Sequence, residues 1–175
     1  MLIGNVLVID ENTEFRSLGE GTLDFSQVIE KIIEFMKNDR DSSYRISIGT
    51  DSQVHSGTVF VTCIHIHRLG KGAIGFLHKC EVPRPIKNLR EKIYLETSTS
   101  LQLAYLFDEE KIRKIQQVVG KKVIFEFHID VGTKGATKVL INEMVGMVQG
   151  LNFIPKIKPE SYCASTFADK YTKAM

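Results

Sequence analysis

The sequence has few cysteines, no long hydrophobic run and almost no excess of charge, and each shortage removes a class of protein. Its three cysteines, Cys63, Cys80 and Cys163, are odd in number and far apart. They form neither a CxxC metal pair nor an even disulfide framework, so reduced, partly buried thiols in a cytoplasm are expected. No apolar run approaches the roughly 18 residues that a membrane-spanning helix needs. The apolar start is followed by Asp10, Glu11 and Glu14, with no basic first segment or small-residue cleavage site, which argues against a secretory signal. Lysine and arginine total 23 against 21 acids, a net charge of +2. Bulk charge therefore announces no nucleic-acid binder, yet it leaves room for a local basic face. The phosphate-loop spacing GxxxxGK[ST] and the serine-hydrolase elbow GxSxG are also missing, and with them the motif support for those chemistries.

What is present suits one globular domain with a short appendage: 175 residues, 43% of them hydrophobic, enough to bury a core. Residues 1–9 are β-rich and 14–21 read as loop. Asp24 or Ser26 can cap a helix carrying Val28, Ile29, Ile32, Ile33, Phe35 and Met36 at helical spacing, and the polar stretch 38–43 ends it. Residues 1–43 are expected to be an N-terminal extension whose helix packs on a main domain, 44–175. There the pattern changes to strands over 44–51, 58–68 and 73–82, joined by short links into an antiparallel meander that Pro83 and Pro85 stop. Helices follow over 89–107, capped by Asn88, and 109–119, capped by Asp108. A strand over 122–131, a helix over 137–149, a short strand over 153–158 and a last helix over 161–173 complete the chain. The expected class is α/β, a mixed sheet with a three-strand antiparallel meander followed by helix–strand crossovers.

Certain acids stand out against these elements. Asp51 ends the first strand of the meander, in Gly-Thr-Asp-Ser-Gln, and Asp130 sits near the end of the strand over 122–131. Strand parity sets Glu126, His128 and Asp130 on one side, opposite Phe125, Phe127 and Ile129. Glu96 lies on a helix line with Ile93, Ser100 and Ala104, the face expected to meet the sheet. Asp169 sits in the last helix among small residues. Carboxylates that converge repel one another, and a hard divalent cation such as Mg²⁺, with its oxygen ligands, is the usual remedy. Each acid also has an ordinary reading: Asp51 and Asp130 as turn residues, Glu96 as an exposed helical glutamate with Glu91 as its rival, Asp169 as a partner of Lys173.

The histidines and lysines divide in the same way. His65 and His67 share a side of the second strand with Cys63, a weak zinc spacing. His128 can meet a substrate phosphate or satisfy a core hydrogen bond. Basic residues gather at Arg84, Lys87, Arg90 and Lys92, and again at Lys134, Lys138, Lys156, Lys158 and Lys170. Such clusters are most often solvated faces, but some of them can hold phosphates, with affinity that falls as salt rises.

These segments together resemble the ribonuclease H-like superfamily, and within it the bacterial YkuK-like family. The likeness is carried by 44–53 with Gly-Thr-Asp-Ser-Gln, by Val54-His55-Ser56-Gly57, by 89–101 around Glu96-Thr97-Ser98, by 127–132, and by Lys156-Ile157-Lys158-Pro159-Glu160-Ser161 through Tyr171-Thr172-Lys173. It runs from about residue 25 to the C-terminus. The resemblance implies Asp51, Glu96, Asp130 and Asp169 as catalytic metal ligands for Mg²⁺ or Mn²⁺, and nucleic acid as partner: RNA, RNA–DNA hybrid or DNA. Lys134, Lys138, Lys158 and His128 are the candidate substrate contacts. Many ribonucleases H place a histidine before the last helix; here Pro159-Glu160-Ser161 stands there and no histidine follows His128. The implied activity is phosphodiester cleavage by a two-metal mechanism. Two rivals remain at this point, a non-catalytic nucleic-acid-binding module of the same fold and an interaction domain with its acids dispersed. The spacing of the four acids in the folded chain separates them.

Overall fold

The computed structural model describes residues 2–3, 6–17 and 19–163. The expected final helix, with Asp169 and Lys170, lies outside the described residues. Strands β1 (Leu2–Ile3) and β2 (Val6–Leu7) pair with each other. A second sheet has seven strands: β3 (Phe15–Ser17), β4 (Gly21–Leu23), β5 (Tyr44–Val54), β6 (Thr58–Arg68), β7 (Gly72–Val82), β8 (Val123–His128) and β9 (Ile154–Lys156). Their order across the sheet is β4-β3-β7-β6-β5-β8-β9. Pairing is antiparallel from β4 to β5 and parallel from β5 through β8 to β9. The expected class and meander are therefore observed.

Parallel strands cannot be joined by tight turns, and helices supply the crossovers. Helices α2 (Leu89–Leu106) and α3 (Glu109–Val119) connect β7 to β8, and α4 (Ile141–Val148) connects β8 to β9; α1 (Phe25–Lys37) precedes β5. Asp24, Asn88 and Asp108 cap α1, α2 and α3 by accepting from the backbone N–H groups of Gln27, Glu91 and Lys111. The helix expected over 137–149 begins as a 3₁₀ turn, Lys138–Leu140. The loop expected over 14–21 contains β3, which extends the sheet beyond β7 through Arg16 opposite Leu77 and Ser17 opposite Phe76. Local composition gives little sign of so short a strand: it pairs with the equally short β4 on one side, and its long partner β7 lies some 60 residues away in sequence.

Alternation along the strands sorts the two faces. Tyr44, Ile46 and Ile48 of β5, Ile64 and Ile66 of β6, and Phe125 and Phe127 of β8 join one core with Val28, Ile32 and Met36 of α1, Ile93 and Leu103 of α2, and Ile115 of α3. Phe107 links the layers by edge-on contacts to Phe25, Phe125 and Phe153. On the other parity stand Arg45, Ser47, Cys63 and His65, with Glu126 opposite Ser47 and His128 opposite Gly49. Gly70-Lys71-Gly72-Ala73-Ile74-Gly75 reads as GxGxxG, but it turns β6 into β7, with φ of 76° at Gly70 and 106° at Gly72. A dinucleotide loop instead opens a helix.

Two polar links hold the chain ends of these layers in place. Thr58 Oγ1 donates to Arg84 O at 2.9 Å and accepts from Ile86 N at 2.8 Å, which fixes the path from the sheet into α2. Gly57 is required beside it, because a Cβ there would lie 2.6 Å from Val82 O. At the other link Gln102 of α2 donates from Nε2 to Leu7 O and accepts from Ile9 N at Oε1, at 2.8 and 3.0 Å. Gln102→Leu strands both backbone groups and is expected to cost about 1–3 kcal/mol in urea denaturation. An unchanged midpoint would show that the N-terminal segment adds nothing to the stability of the sheet.

Candidate metal centre

The site lies at the carboxyl ends of the three mutually parallel strands, where ligand sites collect in open α/β sheets. β5 brings Asp51, the chain leaving β8 brings Asp130, and the chain leaving β9 brings Lys158. Asp51 was expected to end its strand, but β5 continues to Val54, with Asp51 opposite Val61 of β6. Asp130 was expected inside its strand, yet the strand stops at His128. The backbone still follows β9: Ile129 N donates to Lys156 O at 2.9 Å and Lys158 N to Val131 O at 2.8 Å.

The third carboxylate comes from α2, and hydroxyls set its register. Thr50 and Ser52 are two residues apart on β5, about 6.7 Å of strand; Glu96 and Ser100 are four apart on α2, about 6 Å of helix. The near match lets both pairs meet at once. Thr50 Oγ1 lies 2.8 Å from Ser100 Oγ and 3.1 Å from Thr62 Oγ1, and Ser52 Oγ donates to Glu96 Oε1 at 2.6 Å. Ser52 was not singled out from sequence, although its parity with Thr50 against the spacing of Glu96 and Ser100 carries the signal.

Asp51, Glu96 and Asp130 each offer a carboxylate oxygen, and the three lie within 4.8 Å of one another. At an effective dielectric constant near 20, each pair of full charges at that distance repels by about 3–4 kcal/mol. The site answers in three ways. Burial, with Asp51 and Asp130 nearby, pushes the Glu96 carboxyl up to about 8, against the pull of Ser52 and Lys92. Burial and the neighbouring Asp130 also raise Asp51. Lys158 Nζ stands 2.8 Å from Asp130 Oδ1, and Lys92 Nζ 3.8 Å from Glu96 Oε1.

The residues fit a small divalent cation. Glu96 is 2% exposed, and its Oε2 is buried without a hydrogen-bond partner. An orphaned buried carboxylate oxygen is costly unless a cation meets it. All three donors are hard carboxylate oxygens, the set that suits Mg²⁺ or Mn²⁺, and the half-buried Asp51 and Asp130 keep one side open.

The other expected residues fall elsewhere. Glu91, the rival of Glu96, is partly exposed and paired with Arg84 outside the triad. His128 is 3% exposed; it accepts from Cys163 N at Nδ1, 3.0 Å, which sets the proton on Nε2, 3.0 Å from Glu126 Oε2. Its ring is spent inside the protein, and burial lowers its pKa. Lys134 and Lys138 are exposed on the segment that follows Asp130. His65 faces Tyr162, with Tyr162 Oη 3.5 Å from its Nδ1, and belongs to no group of three possible metal ligands among the described residues.

An acidic triad at the parallel edge of a mixed sheet defines a class, and comparison with known proteins places the chain in it: the chain belongs to the ribonuclease H-like family, which it matches over residues 27–173. It is also 43% identical over 166 residues to the protein named "Uncharacterized protein YkuK" of Bacillus subtilis (strain 168), covering 91% of this chain and 96% of that one. No solved structure matches. Among the described residues no helix is long and apolar enough to cross a membrane.

Raising the Glu96 pKa has a stability consequence. Between its ordinary value of 4.5 and about 8, the folded chain keeps a proton that the unfolded chain has lost. Stability therefore falls as pH rises through that window. Thermal denaturation in EDTA is expected to show a falling midpoint from pH 5 to 8 for the native chain, and a flatter profile for Glu96→Gln. Identical slopes would mean that Glu96 is not held protonated.

Proposed function

We propose that the chain is a metal-dependent nuclease that hydrolyses phosphodiester bonds of RNA, RNA–DNA hybrid or DNA. The observation that carries this reading is the convergence of the Asp51, Glu96 and Asp130 carboxylates, one of which, Glu96, keeps a buried oxygen, Oε2, without a hydrogen-bond partner. Divalent cations held there supply activation of water and stabilisation of the leaving oxygen in phosphodiester cleavage. The protein's part is to hold the carboxylates in place against their repulsion. Asp51 accepts from Ser52 N at 2.9 Å, and Ser52 Oγ occupies Oε1 of Glu96 while Oε2 has no hydrogen-bond partner. Lys158, half exposed beside Asp130, and the exposed Lys134 and Lys138 offset charge on the substrate phosphates. Asp169 is proposed as a fourth ligand on the family pattern.

A binding module without turnover is the second reading, and the observation that favours it is Lys158 itself, whose ammonium already neutralises Asp130. Its signature is salt-sensitive nucleic-acid binding with no products across substrates and metals. For the nuclease, incubation of the full chain with single-stranded RNA, RNA–DNA hybrid and DNA in Mg²⁺ or Mn²⁺ is expected to give cleavage that EDTA abolishes. Asp51→Asn is expected to lower the rate at least about 100-fold, since it removes a ligand and a charge together. Cleavage that survives EDTA or that substitution unchanged would refute the mechanism.

A further inference from the structure

Lys158 is held firmly at its backbone and loosely at its tip. Its N–H donates to Val131 O, which locks the main chain beside the segment that carries Asp130. The side chain then runs over Gly132, where an added Cβ would sit 3.6 Å from Lys158 Cβ and 3.8 Å from its Cδ. The tip reaches Asp130 Oδ1 at 2.8 Å, yet that oxygen makes no well-directed hydrogen bond. The contact joins a compact ammonium on a flexible stem to one carboxylate oxygen. The Lys158 side chain is 50% exposed, so Nζ can leave Asp130 without crossing packed core.

We propose that Lys158 is an exchangeable counter-ion: it neutralises Asp130 in the metal-free protein and yields that carboxylate when a divalent cation binds. The inference rests on the acidic triad being a metal centre. An ammonium at 2.8 Å occupies the carboxylate that a metal would share, and two positive charges at one carboxylate repel, so the two occupants compete. Lys158 is then a specificity-determining residue in two senses. It sets the cation concentration at which the centre fills, and its release leaves a mobile ammonium beside the site for phosphate oxygens. Metal loading and phosphate capture are coupled through one side chain, and such coupling works in both directions.

The test is calorimetric titration of Mn²⁺ into the full chain without nucleic acid, at fixed ionic strength. Lys158→Met keeps the stem and removes the charge; it is expected to bind Mn²⁺ at least about fivefold more tightly than the native chain. Lys92→Met removes an equal charge 3.8 Å from Glu96 Oε1 without vacating Asp130, and is expected to change affinity less. Lys158→Gln serves if the methionine variant does not fold. Thermal melting gives a second readout: the native chain should exceed Lys158→Met in EDTA, and the gap should close in saturating Mn²⁺. Equal Mn²⁺ affinity for native and Lys158→Met, or an equal gain in Lys92→Met, would overturn the exchange and leave the metal centre standing. If none of the chains took up Mn²⁺ at millimolar concentration, the metal centre itself would fall, and the exchange with it.

Discussion

Three carboxylates within 4.8 Å of one another are the constraint around which this fold is arranged. Their mutual repulsion opposes folding, so every structural device nearby acts either to hold them or to dilute their charge. The hydroxyl pairs Thr50–Ser100 and Ser52–Glu96 hold α2 on β5 with hydrogen bonds rather than apolar contact, at the one place where an apolar contact would leave Glu96 with no donor. Burial of Glu96 favours its protonated form, and Lys158 and Lys92 bring positive charge from two sides. A buried acid kept only for stability would have all its oxygens satisfied. Here one carboxylate oxygen of Glu96 is left bare, which is intelligible if stability was given up for ligand capacity.

Much of this was legible in the sequence because the signals are local. The caps at Asp24, Asn88 and Asp108 sit directly before their helices, and the alternation of Phe125 and Phe127 with Glu126 and His128 reads out the faces of β8. The helix line through Ile93, Glu96, Ser100 and Ala104 is buried throughout, as its spacing implies. The choice between Glu96 and Glu91 was not legible. Both are glutamates near the same end of α2, and only packing against β5 decides that one meets Ser52 and the other Arg84. The ends of β5 and β8 lie a few residues from the expected ones, in opposite directions, since pairing with β6 prolongs one strand while the other gives way to a tight turn in which Val131 N donates to Ile129 O. β3 escaped notice because three residues carry too little pattern to announce a strand without its partner.

His128 shows why residue type and neighbourhood do not settle a role. It stands two positions before Asp130, close enough in sequence to look like part of the chemistry. A two-residue step along a strand keeps the same side, but the chain leaves β8 between them, and the two side chains serve different ends. His128 binds Glu126 and the backbone of Cys163, and Glu126 in turn meets Arg45 Nε at 3.2 Å. That network lies on the sheet face opposite the main core. It ties the chain beyond Pro159 to β8 through a neutral imidazole of fixed tautomer, which burial keeps neutral.

The anchoring bears on the site. Between Lys156 and Cys163 the chain is fastened at three points: Lys156 O to Ile129 N, Lys158 N to Val131 O, and Cys163 N to His128 Nδ1. A segment held this firmly cannot move as a lid, so whatever adaptation the site requires must come from side chains rather than backbone. Among the groups at the triad, Glu96 is buried and bound by Ser52, and Asp51 accepts from the backbone. Lys158 combines a fixed backbone with a half-exposed, weakly directed tip. The rigidity that holds the carboxylates together thus leaves the half-exposed ammonium of Lys158 as the group beside Asp130 with room to move.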